Sequence, residues 1–83
     1  MLQYKIDIMA ALRTAGVTFA SCRKSHLFSQ ATLTRFKRGD ASIDAATLNR
    51  LCCVLEMQPR DLLRYVEGPE DAALYREVHE QKK

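Results

Sequence analysis

Apolar side chains recur at helical spacing through most of this chain. Ile8, Ala11, Leu12 and Ala15 stand at i, i+3, i+4 and i+7, which predicts a first helix over about 6–15 with one apolar face. Gly16 then occupies the place of a left-handed C-terminal cap. Ahead of this helix, Leu2-Gln3-Tyr4-Lys5-Ile6 alternates apolar and polar residues, the period of a short strand rather than of a frayed end. Thr18 is placed to cap a second, shorter helix running to Ser25, because its hydroxyl can accept from an unpaired N–H of the first turn. His26-Leu27-Phe28 makes the turn that follows. Ser29 caps the next helix, over 30–38, where Leu33 and Phe36 face inward while Gln30, Thr34, Arg35, Lys37 and Arg38 take the remaining surface. Gly39 ends it.

Asp40-Ala41-Ser42 is a connector, and either Ser42 or Asp44 caps a fourth helix whose Leu48, Leu51, Cys52 and Leu55 again fall at i, i+3, i+4 and i+7. Pro59 suits the first turn of a short fifth helix over 59–63, where its missing N–H costs nothing. Arg64-Tyr65-Val66-Glu67 reads as extended, and Gly68-Pro69 breaks the chain before a helix over 70–81. The last helix carries Leu74, Tyr75 and Val78, a stripe too thin to hold it alone, so it is expected to pack on the body or on a second subunit. The chain thus divides into a body, 1–67, and a helical extension, 68–83, that is a candidate dimerisation element. Repeats and low-complexity tracts are absent from the sequence.

Composition narrows the class. With 83 residues, 47% of them hydrophobic, the chain is sized for one small domain. A domain of this length hides only about 60–65% of the surface its unfolded form exposes, which leaves little room for a deep substrate cleft and argues against an enzyme. The net charge of +3 is mild, yet it is unevenly placed. Between residues 18 and 42 five cations, Arg23, Lys24, Arg35, Lys37 and Arg38, meet the single acid Asp40 and leave +4, whereas the rest of the chain sums to −1. Such a local excess attracts phosphates even when distant acids cancel it. Glu67, Glu70, Asp71, Glu77 and Glu80 make the C-terminal part acidic.

Three cysteines form an odd set, and the segment MLQYKIDIMAALRT has neither a basic leader nor an apolar run of membrane-spanning length. These features predict a cytoplasmic, membrane-free protein with reduced thiols. Cys52 and Cys53 point about 100° apart on a helix, so a bond or metal shared between them is strained, and they read as small hydrophobes.

Two short helices joined by a turn, the second polar, cationic and without acids, meet the requirements of a major-groove reader. The groove is about 12 Å wide and admits one helix, on which amide and guanidinium groups can pair with base edges. Gln30 and Arg35 are chemically suited to that role, and Gln30, Ala31, Thr34 and Arg35 all stay off the side set by Leu33 and Phe36. Lys37 and Arg38 come late in the helix and are expected at the DNA backbone, where they add affinity without sequence information.

At these residues the chain resembles a known family. Ser29-Gln30-Ala31-Thr32-Leu33-Thr34-Arg35-Phe36-Lys37-Arg38-Gly39 is similar to the recognition helix of the XRE or Cro/phage-repressor helix-turn-helix family. The likeness runs on through Leu48-Asn49-Arg50-Leu51-Cys52 and Leu55 and through Gln58-Pro59-Arg60-Asp61-Leu62-Leu63, so it covers about 6–65 and most resembles a branch of small bacterial and phage regulators. It implies a mainly α, five-helix lambda-repressor-like DNA-binding domain. In that branch the first and last extended segments pair, which would join Gln3-Tyr4-Lys5 to Arg64-Tyr65-Val66 beside the extra C-terminal helix. The implied function is a sequence-specific transcriptional regulator, expected to be a repressor. Base contacts carry over to Gln30, Ala31, Thr34 and Arg35. Thr18, Arg23, Lys24, Ser29, Lys37 and Arg38 make up the phosphate set. Its partners are double-stranded DNA and a second copy of the chain, because one module of this size buries only about 600–1,000 Å² on DNA. No cofactor is called for and no small-molecule effector is evident. Two residues depart from the family pattern. Arg23 stands where many members have Ala and is expected to reach toward phosphate; Leu27 stands where they have Gly and implies a turn that avoids positive φ.

Blander readings compete with each of these assignments. Any one cation can be a solvated surface charge, and Gln30 or Thr34 a plain helix-surface residue. Cys22 and His26, four apart, could join Cys52 or His79 around zinc, but the paired C-x-x-C and H-x-x-x-H spacings are missing. A Cys–His catalytic pair lacks a supporting acid and an oxyanion framework. The main rival function is a protein-interaction module, antitoxin-like or adaptor, that keeps the fold and turns its acidic tail toward a basic partner.

Overall fold

Among the described residues, four of six helices begin where a short polar side chain accepts from the backbone. In the computed structural model, which describes the backbone of residues 1–81 and the side chains of residues 1–78, Asp7 accepts from the Ala10 N–H at 3.1 Å and starts α1, Ile8–Thr14. Thr18 accepts from the Ser21 N–H, while Ser21 Oγ takes the Thr18 N–H, a reciprocal box opening α2, Phe19–Ser25. Ser29 does the same service for α3, Gln30–Arg38, and Asp44 for α4, Ala45–Leu55. Asp44, not Ser42, is therefore the cap of α4; Ser42 instead donates its hydroxyl and N–H to Asp40. Pro59 opens α5, Pro59–Leu62, and α6 covers Pro69–Gln81. Two strands, β1 at Leu2–Tyr4 and β2 at Leu63–Tyr65, complete the order β1-α1-α2-α3-α4-α5-β2-α6.

The predicted bounds need small corrections with local causes. Helix α1 starts at Ile8 rather than near residue 6 because Asp7 is its cap, and it stops at Thr14, with Gly16 in the left-handed region at φ +80°. Ala15, placed on the apolar face by periodicity, is exposed, and Val17 is buried in its stead once the Gly16 turn brings the Val17 N–H to the Leu12 carbonyl at 2.8 Å. The turn between α2 and α3 does contain a positive φ, contrary to the expectation from Leu27. It lies one residue earlier, at His26, φ 56° and ψ 26°, which frees Leu27 to half-bury its side chain against the core.

The core gathers Ile8 and Leu12 from α1, Cys22 from α2, Leu33 and Phe36 from α3, Leu51 from α4 and Leu62 from α5, with Val17 and Phe28 from the connections. Phe28 meets Phe36 edge to face with centroids 5.3 Å apart, and Tyr4 meets Phe36 edge to face at 6.3 Å. No polar side chain is buried among the described residues. Cys22 and the half-buried Cys52 behave as the small hydrophobes expected of them, but Cys53 is exposed.

The strands pair antiparallel as Leu2↔Tyr65, Gln3↔Arg64 and Tyr4↔Leu63, one residue toward the N-terminus of the expected segments. Lys5 N–H to Leu62 and Val66 N–H to Met1 extend the ladder at both ends. Because opposed residues share a face, Tyr4 and Leu63 pack on the core while Leu2 and Tyr65, on the same face, overhang it and stay 53% and 65% exposed. Gly68 is buried against Met1, and α6 leaves from it with Leu74, Tyr75 and Val78 exposed. The chain's extents of 55 × 22 × 19 Å are correspondingly long. Among the described residues no helix is long and apolar enough to cross a membrane.

Candidate nucleic-acid interface

Leu33 and Phe36 are buried at 0% and 3% exposure, so they fix the rotation of α3 about its axis as the helix packs on α1 and α2. The opposite face then points outward whatever its chemistry. It carries Gln30, Ala31, Thr34 and Arg35, all exposed, at the i+3 and i+4 spacings that set side chains next to one another. Nine residues make this face about 13 Å long, and none of them is acidic.

Each polar group on that face is already aimed by a neighbour. Gln30 Nε2 donates to the Phe19 carbonyl at 3.2 Å, which ties the first residue of α3 to the first of α2 and turns the rest of the amide outward. Thr34 donates its hydroxyl hydrogen to the Gln30 carbonyl at 2.9 Å, leaving lone pairs and a methyl group for a partner. Arg35 reaches the Ser42 carbonyl at 3.4 Å, a long bond easily exchanged. Its guanidinium also faces two carboxylates. Hydrogen bonds from Ser42 hold Asp40 below the usual carboxylate range, with the charges of Arg35 and Arg38 adding to the effect. Hydrogen bonds from Thr47, and then the charge of Arg35, do the same for Asp44.

The predicted phosphate residues fall into separate corners, all of them exposed. Arg23, Ser29 and Gln30 line a depression of about 440 Å³ at the start of α3, together with His26 and Arg50. Thr18 and Lys37 meet in a second hollow of about 280 Å³, joined by Arg13. Arg38 lies on the far flank, lining with Lys37 a groove of about 830 Å³ between the end of α3, the 39–42 connector and β1, so that Lys37 borders both hollows. Lys24 is exposed on α2 and lines none of these hollows. Thr18 has its own N–H and hydroxyl oxygen taken by the capping box, so the unpaired N–H groups at this corner are those of Phe19 and Ala20.

Sequence reasoning missed Arg13, His26 and Arg50. Arg50 donates to the Leu27 carbonyl at 2.8 Å and thereby holds the turn between α2 and α3 from the side of α4. The only advance signal was a cation off the apolar stripe of α4, which does not say what it reaches. Cys22 is sealed in the core while His26 is exposed at the turn, and no three His, Cys, Asp or Glu side chains among the described residues are grouped to hold a metal. The side chain of His79 lies outside the described residues.

Comparison with known proteins gives the family. The profile of the Cro/C1-type HTH DNA-binding domain matches residues 5–68. A Bacillus subtilis (strain 168) protein described as the uncharacterized HTH-type transcriptional regulator YozG is 37% identical over 76 residues, covering 90% of this chain and 87% of its own. No solved structure matches.

Proposed function

The chain belongs to the Cro/C1-type helix-turn-helix DNA-binding domains, and from that premise we propose that it is a sequence-specific transcriptional regulator, a repressor, that reads the major groove with α3. The observation that carries this reading is the exposed, acid-free face of α3, with Gln30, Ala31, Thr34 and Arg35 turned away from the core and cations at both ends. Gln30 and Arg35 offer paired donors and acceptors to base edges, Ala31 a methyl contact to thymine, and Thr34 an acceptor. Arg23, Lys24, Ser29, Lys37 and Arg38 hold phosphates on either side, with the N-terminus of α2 at Thr18 adding backbone N–H groups. A homodimer sets two half-sites about 34 Å apart.

Selection of bound duplexes from a random pool tests the reading, since it returns both a consensus and its half-site spacing. On the selected duplex, Arg35→Ala is expected to cost about 1–3 kcal/mol and to relax preference at one base pair, while Arg38→Ala lowers the slope of log K against log salt by about 1 at every sequence. Unchanged affinity in the double variant would place the DNA face elsewhere.

A further inference from the structure

We propose that α6 of one copy docks in the groove beside β1 of a second copy, and reciprocally, so that the extension is the dimer clasp. The inference rests on the homodimer of the preceding reading and adds its interface. The groove of about 830 Å³ has an apolar wall of Met1, Leu2, Tyr4, Ile6 and Phe36 beside β1 and a polar wall at the end of α3, where Lys37 and Arg38 stand with Asp40. Helix α6 presents Leu74 and Val78, four residues apart and so on one side, at 61% and 54% exposure. With Met1, Leu2, Tyr65 and Tyr75, which are 53–69% exposed, these side chains leave on the order of 600 Å² of apolar surface per copy, close to the roughly 800 Å² per partner that a stable interface buries.

Its own groove is closed to α6. Val66 and Met1 exchange backbone hydrogen bonds, Gly68 is buried against Met1, and Pro69 begins the helix at once, so the connection has no slack in which to turn back. Charge selects body over helix as the partner. Residues 1–66 carry +5, whereas 67–83 carry −2, with Glu67, Glu70, Asp71 and Glu77 against Arg76 on the described part. Packing α6 on α6 sets like charges together; packing it on the body sets opposite ones together. A twofold axis makes both contacts equivalent, which closes the assembly at two copies.

Sedimentation of the full chain tests the clasp against Leu2→Lys and Val78→Lys, two exposed sites that are neither among the base-contact nor among the phosphate residues. The unaltered chain is expected to dimerise with a Kd of about 1 µM or tighter, and each substitution to weaken it at least tenfold without loss of helical circular dichroism. Mixing a Leu2→Cys with a Val78→Cys protein, both on a Cys53→Ser background, should give a cross-linked heterodimer on oxidation. A monomeric full chain overturns the proposal, as does dissociation by only one of the two Lys variants, which would mean helix-on-helix or sheet-on-sheet pairing. The DNA reading fails separately. A monomer that still binds a single half-site with steep salt dependence removes the clasp alone, and an intact dimer that binds no duplex removes the DNA reading alone.

Discussion

Burial of the Tyr4 phenol, with the negative charge of Asp40 adding to it, pushes its pKa up from 10 to about 12. The neutral phenol donates to the Asp40 carbonyl at 3.0 Å and its ring meets Phe36, so this side chain links β1 to the end of α3. The folded pKa lies above the unfolded one, so the unfolded chain loses the proton first. The contribution is therefore complete below pH 10 and is lost as the pH rises toward 12. Denaturant midpoints are expected to fall over that window, and Tyr4→Phe, which keeps the ring, to fall less; equal declines would assign the effect to other groups. Asp40 and Asp44 have the opposite sign. Their depressed carboxyls contribute fully above the ordinary carboxylate range, and the contribution is lost progressively as the pH falls from that range through the lower folded values.

At the scale of elements, the turn between α2 and α3 decides the aim of α3. A histidine in the left-handed region costs about 1–2 kcal/mol that glycine avoids. His26→Gly is accordingly expected to stabilise the fold by up to about 1 kcal/mol after the extra freedom of the unfolded chain is counted. Leu27→Gly removes a half-buried side chain and should destabilise by about 1–3 kcal/mol. Thermal melts of the two variants distinguish these positions, and a reversed order would move the positive φ to residue 27. Arg50 completes the element from outside, since its bond to the Leu27 carbonyl ties the turn to α4.

For the whole molecule, a body of +5 meets an extension of opposite sign, and the proposed clasp would make association part of stability. A dimer that unfolds to two chains has a Tm that rises with concentration, by about 4 °C per tenfold for two chains of this length. Calorimetry of the full chain should show that slope, and Leu2→Lys should lose it. A flat Tm in the full chain would contradict the clasp independently of sedimentation.

The sequence by itself determined the helices and many of their ends, because Thr18, Ser29, Gly16 and Gly39 act through hydrogen bonds and backbone angles within a few residues; it leaves the cap of α4 open between Ser42 and Asp44, and its periodicity makes α1 too long. It also determined which side of α3 faces out, since Leu33 and Phe36 leave one rotation that buries both. Only the tertiary structure decided what long side chains reach across elements. Arg50 at Leu27, Arg35 at Ser42 and Gln30 at Phe19 join residues 23, 7 and 11 positions apart, and no local period encodes such distances. The same holds for the overhang of Leu2 and Tyr65. Period-2 alternation marks them as inward-facing, but whether a core lies beneath them depends on where α1 and α3 stop.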